Sequence, residues 1–272
     1  MFHSVIDIIG ITANPCYIMV VATLLFLINK EKDFSGLIYL LFFTMIYNTV
    51  FKYIFEIPLP ESCHKEGFGF PSGHTNFSAV FFIWIFLNYK NNMVRSLSVI
   101  CFIAMAWFIV FRGYHYLRDV VFTVPFSFCA VCVYKKFISN LDEDRKFLYA
   151  LCASTLMLIA LGVMKTPVFP HALLAYYSIF GVGVSYLIFN QSVNRKQKLQ
   201  QVLLVALSSF VVLSVNNSVY HILSKIQWFF VFLPIYLLKN CVHQIKERFF
   251  DRSDCFVRKT MRELKHGDKN CK

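Results

Sequence analysis

Residues 36–55 read Gly36-Leu37-Ile38-Tyr39-Leu40-Leu41-Phe42-Phe43-Thr44-Met45-Ile46-Tyr47-Asn48-Thr49-Val50-Phe51-Lys52-Tyr53-Ile54-Phe55, with a single charge, Lys52, near their end. At ~1.5 Å per residue a helix of this length crosses the ~30 Å hydrocarbon core of a bilayer. The run has none of the apolar/polar alternation of a barrel strand, and a lipid-facing span has to satisfy its own backbone, so the spanning element is a helix. The rest of the chain repeats this character. Of its 272 residues 57% are hydrophobic and only 15% charged, and thirty-one are Phe, a composition that no soluble domain of this length needs. The predicted fold class is all-α, a polytopic membrane helix bundle.

Nine transmembrane helices are predicted, at residues 15–28, 36–55, 72–89, 94–111, 116–137, 147–163, 172–189, 202–215 and 220–238. Residues 2–11 are apolar with scattered polar positions and lack the basic flank and cleavage site of a signal peptide, so they are expected to form an interfacial helix on the bilayer. The loops carrying Lys30 and Lys32, Lys90 and Arg95, 135–146 and 195–198, with the tail after Lys239, hold all but six of the 27 basic residues. Nine spans put them on one side, which the positive-inside rule makes cytoplasmic, the C-terminal tail included. The other six, Lys52, Lys65, Arg112, Arg118, Lys165 and Lys225, then lie on the extracytoplasmic side, concentrated around an anionic substrate's expected position.

The net charge of +12 is explained by those loops and the tail, so nucleic acid is not an expected partner. The tail, with Ile245, Phe249 and Phe250 among basic residues, reads equally as a surface lying on anionic headgroups or as a solvated extension of the last helix. Nine scattered cysteines imply no disulfide framework. The Cys129/Cys132 pair lies inside a span without a second pair, which fits packing better than a metal site. A polar stretch with Asp142-Glu143-Asp144 divides residues 1–138, a core carrying all the motifs, from 139–272, further C-terminal helices and the basic tail. Beyond it stand only lone groups, His171, His221 and Lys225, expected to be interfacial anchors.

The chemistry gathers at successive span mouths. In Phe68-Gly69-Phe70-Pro71-Ser72-Gly73-His74 the small residues leave the first amides of the third span uncovered for an anion, and His74 faces the same spot as a proton donor to a departing oxygen. In Arg112-Gly113-Tyr114-His115-Tyr116-Leu117-Arg118-Asp119, Asp119 lies one helical turn beyond His115. It can accept from one ring nitrogen and leave the other free to attack phosphorus. Lys52, costly at the end of a span, is a functional candidate by position.

In order and spacing these elements resemble the type 2 phosphatidic acid phosphatase superfamily. Its pattern is a Lys, six residues and Arg-Pro; then Pro-Ser-Gly-His; then Ser-Arg, five residues, His, three residues and Asp. The similarity runs from Lys52 to about Val120, with residues 15–137 as an inferred five-span core. The resemblance implies a phosphoenzyme on His115, protonation of the leaving group by His74, orientation of His115 by Asp119, phosphate held by Lys52, Ser72 and Gly73, and no metal or other cofactor. It also implies an integral protein of a bacterial inner membrane with its active site extracytoplasmic. Two arginines of the pattern are absent, since their positions hold Leu59 and Ile109. Arg112, three residues past Ile109 on nearly the same helical face, is the expected substitute for phosphate binding.

The implied activity is hydrolysis of a lipid or polyprenyl phosphate or diphosphate, with membrane lipids as the other partners. Three alternatives stay open: a lipid phosphotransferase on the same chemistry, an inactive homologue that binds or transports, and a soluble phosphate ester as substrate. The sequence does not specify an oligomeric state.

Overall fold

Three helices start at a residue whose side chain caps them, Asp33 before Phe34, Ser72 before Gly73 and Asn91 before Asn92, and Gly113 follows the end of the helix that closes at Phe111. The computed structural model describes residues 15–28, 33–63 and 67–189. They form α1 (Pro15–Ile28), α2 (Phe34–Phe55), α3 (Gly73–Asn88), α4 (Asn92–Phe111), α5 (Leu117–Phe137), α6 (Glu143–Val163) and α7 (Pro170–Phe189), with a 3-10 turn at Glu61–Cys63. Among the described residues there is no strand, only an isolated antiparallel bridge between Pro58 and Phe68, as the all-α expectation requires.

Seven of the nine predicted spans coincide with these helices, with ends shifted by up to four residues. Among the described residues four helices, α2, α4, α5 and α6, are long and apolar enough to cross a membrane. Nine crossings are therefore not established. The helix α1 is described over 14 residues, Pro15–Ile28. The predicted spans 202–215 and 220–238, the interfacial segment 2–11 and the basic tail lie outside the described residues. The largest shift is at α6, which starts at Glu143 rather than 147: the Asp142 carbonyl accepts the Lys146 amide at 3.0 Å, and Glu143 and Asp144 suit the positive end of the helix dipole.

The centre of the bundle is α2, packed against α1, α3, α6 and α7 and buried along most of its length. Helices from both sides of residue 139 share one apolar core, in which Leu37, Leu41 and Ile46 of α2 meet Trp84 of α3, Leu151 and Leu158 of α6, and Tyr176 and Ile179 of α7. The outer helices turn large apolar side chains outward, among them Leu97, Ile100, Ile103 and Trp107 of α4, Phe122 and Phe128 of α5, and Leu156 of α6. So much exposed apolar surface suits lipid and not water. The protein is a membrane protein.

A charged knot fastens the start of α2. Asp33 accepts the Gly36 amide at 3.0 Å, the Tyr134 hydroxyl and Lys146 Nζ at 3.0 Å. Lys146 also reaches Glu143 at 3.1 Å, and Ser35 donates to Glu143 at 2.8 Å. The knot ties α2 to the end of α5 and the start of α6, and by pairing each buried charge it offsets the desolvation that burial costs.

Candidate active site

At the other end of α2 the chain turns back over a short loop, and there the singled-out residues meet. Glu56 takes the left-handed conformation (φ 50°) with its amide on Lys52 O at 3.0 Å, and Pro58 and Pro60 prevent further helix. The loop folds on itself through Gly69 N to Ile57 O at 2.7 Å and Leu59 N to Gly67 O at 3.3 Å. Lys52 donates from Nζ to Phe68 O, holding the loop against α2. The rings of Phe55, Phe70 and Phe126, with centroids 5.0 to 6.0 Å apart, pin its far side.

Pro71 stands one residue outside α3, whose N-cap is Ser72. The Ser72 hydroxyl takes the Thr75 amide at 3.4 Å and the Thr75 hydroxyl at 2.9 Å, and its own amide donates to Thr123 Oγ1 at 3.0 Å. Ser72 is thus fully buried, fixing the start of α3 onto α5, while Gly73 and His74 line the cavity. The first amides of α3, Gly73 N foremost, have no acceptor within the helix, and the dipole directs them at an anion.

His115 is placed by a helix ending of the Schellman type. Gly113, at φ +68°, donates to Val110 O at 2.9 Å and Tyr114 to Ile109 O at 3.1 Å, while the Tyr114 ring packs edge-on against Phe108 at 6.3 Å. The turn leaves His115 at the cavity wall, 8% exposed. One turn on, Asp119 is 1% exposed and accepts the Tyr116 amide at 3.2 Å, capping α5. The predicted juxtaposition of His115 and Asp119 is present, with Nδ1 and Oδ2 3.9 Å apart, beyond hydrogen-bond range. Neither Nδ1 of His115 nor Oδ1 of Asp119 has a hydrogen-bond partner. Gly69 admits this pair: a Cβ there would stand 2.9 Å from Pro58 O and 3.1 Å from Asp119 Oδ2. Burial, first, and then the positive fields of Lys52 and His74 push the His115 imidazole down to about 3, against a smaller upward pull from its hydrogen bond to the Gly69 backbone. Near neutral pH the ring is therefore uncharged.

Lys52, Gly73, His74 and His115 share one cavity of about 570 Å³ with Asn48, Leu59, Cys63, Tyr114 and His171. Asp119 stands behind His115, and Ser72 lies beneath the floor. Arg112 is not in the lining: it caps α4 and lays its guanidinium over the Phe108 ring at 5.5 Å. Ile109, one of the two positions without the family arginine, is buried among Met105, Phe108 and Val120, whereas Leu59, the other, faces the cavity.

Three contributors went unread in the sequence. Asn48 lines the cavity and accepts from Asn76 Nδ2 at 3.0 Å, and Asn76 Oδ1 accepts from Tyr47 at 2.6 Å and Ser127 at 2.7 Å. Amides inside apolar spans, with Asn48 one turn before Lys52, were the signal available for this pair. The third, His171, was expected to be an interfacial anchor and instead forms part of the cavity wall. Among the described residues no cluster of three or more His, Cys, Asp or Glu is close enough to hold a metal ion.

Residues 33–143 match the family model described as the PAP2 superfamily, the family that the motifs resemble. Members of that superfamily are generally phosphatases, and the match supports a phosphatase-type fold and phosphoester hydrolysis at that coarse level. Comparison with curated proteins and with solved structures gave no match.

Proposed function

We propose, taking residues 33–143 as a PAP2-superfamily segment of a membrane protein, that the chain hydrolyses a lipid or polyprenyl phosphate or diphosphate at the extracytoplasmic face through a phosphohistidine. The observation that carries this reading is the convergence of Lys52, Gly73, His74 and His115 on one cavity with Asp119 behind His115. His115 attacks phosphorus in line, and the P–O bond to the leaving group breaks as the P–N bond forms. The imidazole is already neutral; the hydrogen on Nε2, which the Gly69 backbone accepts, moves to Nδ1 facing Asp119, and the freed Nε2 attacks. Closing the gap to Asp119 fixes the tautomer and stabilises the phosphoimidazolium, in keeping with catalytic hydrogen bonds that tighten only in the complex. His74, beside the α3 amides, protonates the departing oxygen. A water then attacks phosphorus and gives its proton to His74, now neutral; the P–N bond to His115 breaks and phosphate is released.

The charge developing on the phosphoryl oxygens is met by Lys52 and the Gly73 amide, with Ser72 holding that helix start in place. Arg112 adds to them by leaving Phe108. Its guanidinium can bind phosphate oxygens bidentately, which a lysine reproduces poorly.

Purified protein is assayed for phosphate release from phosphatidate, a prenyl diphosphate and a soluble phosphate ester with EDTA present, and the acid-labile phosphoenzyme is trapped and mapped. The reading expects EDTA-resistant release and label on His115 that His115→Ala abolishes, with His74→Ala slowing substrates with poor leaving groups most. Turnover dependent on added metal, or label on His74, overturns it. Label passed to a lipid acceptor without phosphate release identifies a phosphotransferase.

A further inference from the structure

Part of the cavity wall lies beyond the C-terminal end of the superfamily match. That match ends at residue 143, yet His171, in the first turn of α7, lines the cavity together with Lys52, His74, His115 and Leu59. The ring is held from two directions. It stacks on Phe169 (centroids 5.4 Å, 12°), Phe169 stacks on Tyr53 of α2 (5.6 Å, 19°), and the Tyr53 hydroxyl donates to Pro167 O at 2.9 Å. On another side, Nε2 lies 3.4 Å from Thr49 Oγ1. The single Thr49 hydroxyl proton already goes to Met45 O at 3.0 Å, so Oγ1 faces the ring as an acceptor and Nε2 carries the hydrogen. An anchor at the water boundary needs none of this. A ring fixed by a stack and a hydroxyl, exposed within a cavity that already holds a lysine and two histidines, has the attributes of a ligand-positioning group.

We propose that His171 positions the substrate phosphoryl group, donating from its imidazole to a phosphate oxygen and replacing the guanidinium that the superfamily pattern places at Leu59. Leu59 gives its part of the wall no donor. His171 brings one to the same cavity from an element outside the matched segment. A bound phosphate favours the doubly protonated imidazole, in which both ring nitrogens donate, so one can keep Thr49 while the other takes the anion. This inference rests on the phosphatase reading for its substrate, but its ligand, a phosphate group, can be tested without turnover.

The experiment compares wild type with His171→Ala, His171→Phe and His171→Arg in two readouts, steady-state kinetics on the best substrate and the shift in melting temperature produced by inorganic phosphate. His171→Phe keeps a flat ring against Phe169 and removes only the nitrogens. The expected result is a KM raised about tenfold or more in both His171→Ala and His171→Phe with a smaller change in kcat, loss of most of the phosphate-induced shift, and partial recovery of both in His171→Arg. A His171→Phe variant with wild-type KM and phosphate shift overturns the inference and leaves stacking as the whole role of the residue. If wild type neither turns over nor forms a phosphoenzyme, the phosphatase reading fails, and a phosphate shift lost in His171→Phe would still uphold His171 as a phosphate ligand.

Discussion

His115 and Asp119 are both buried, and the 3.9 Å between them is the shortest step left to make at this site. A buried ring nitrogen without a partner costs about 1–3 kcal/mol, which closing the gap would recover, so substrate binding and tautomer selection favour each other. The same burial sets the pH response. His115 titrates near 3 in the folded protein against an ordinary value of 6.5, so between those values the unfolded chain binds a proton that the folded one does not. Its contribution to stability therefore rises with pH from about 3 to about 6.5 and is flat above. Across pH 5–8 the residue should stay neutral. In a histidine-selective NMR titration of the solubilised protein, the His115 resonance is expected to hold constant over that range. A midpoint near 6.5 would show that water reaches the ring and that the neutral nucleophile is not built in.

Among the elements, the end of α4 bears on the proposed site because the turn after it places His115 at the cavity wall. Gly113 stands at φ +68°, and a Cβ there would meet Ser62 Oγ at 2.8 Å. Gly113→Ala meets both obstacles, so it should destabilise the protein by about 1–2 kcal/mol and lower kcat by displacing His115, read as a fall in melting temperature together with slower phosphoenzyme formation. A variant with lowered melting temperature and normal phosphoenzyme kinetics would show that the turn stabilises without aiming. This element was legible in the sequence: glycine after an apolar run, then His and Asp one turn apart, are local signals. The start of α6 was not, because Glu143 and Lys146 read as a solvated loop until Asp33 and Ser35, more than a hundred residues earlier, are seen to pair with them. His171 was hidden for the same reason. Its supports Thr49 and Tyr53 lie on α2, and a lone histidine at a span end carries no periodicity that could announce them.

For the whole molecule, α2 separates two polar centres with opposite demands. Asp33 and Lys52 are nineteen positions apart, ~28 Å along a helix, so the charged knot and the cavity occupy opposite ends of the bundle. Lys146 is only 8% exposed, and removing it leaves two carboxylates facing each other with no cation. Lys146→Met should therefore cost about 3–5 kcal/mol of stability while the folded fraction keeps wild-type KM. A changed KM would mean that the two ends are coupled. The same separation makes sidedness testable. Lys135, Lys136, Arg145 and Lys146 gather at the knot end, and the proposed extracytoplasmic cavity requires that end to face the cytoplasm. Cys63 reports on this directly, because it lines the cavity, whereas Cys16, Cys101, Cys129, Cys132 and Cys152 sit within helices. An impermeant thiol reagent applied to intact cells should label Cys63, and a Cys63→Ser variant identifies its share of the signal. Orthovanadate, a phosphate analogue seated against Lys52 and the α3 amides, should slow that labelling in wild type. Labelling that appears only after permeabilisation would place the cavity on the cytoplasmic face, and labelling indifferent to orthovanadate would mean that the cavity beside Cys63 does not hold the phosphate.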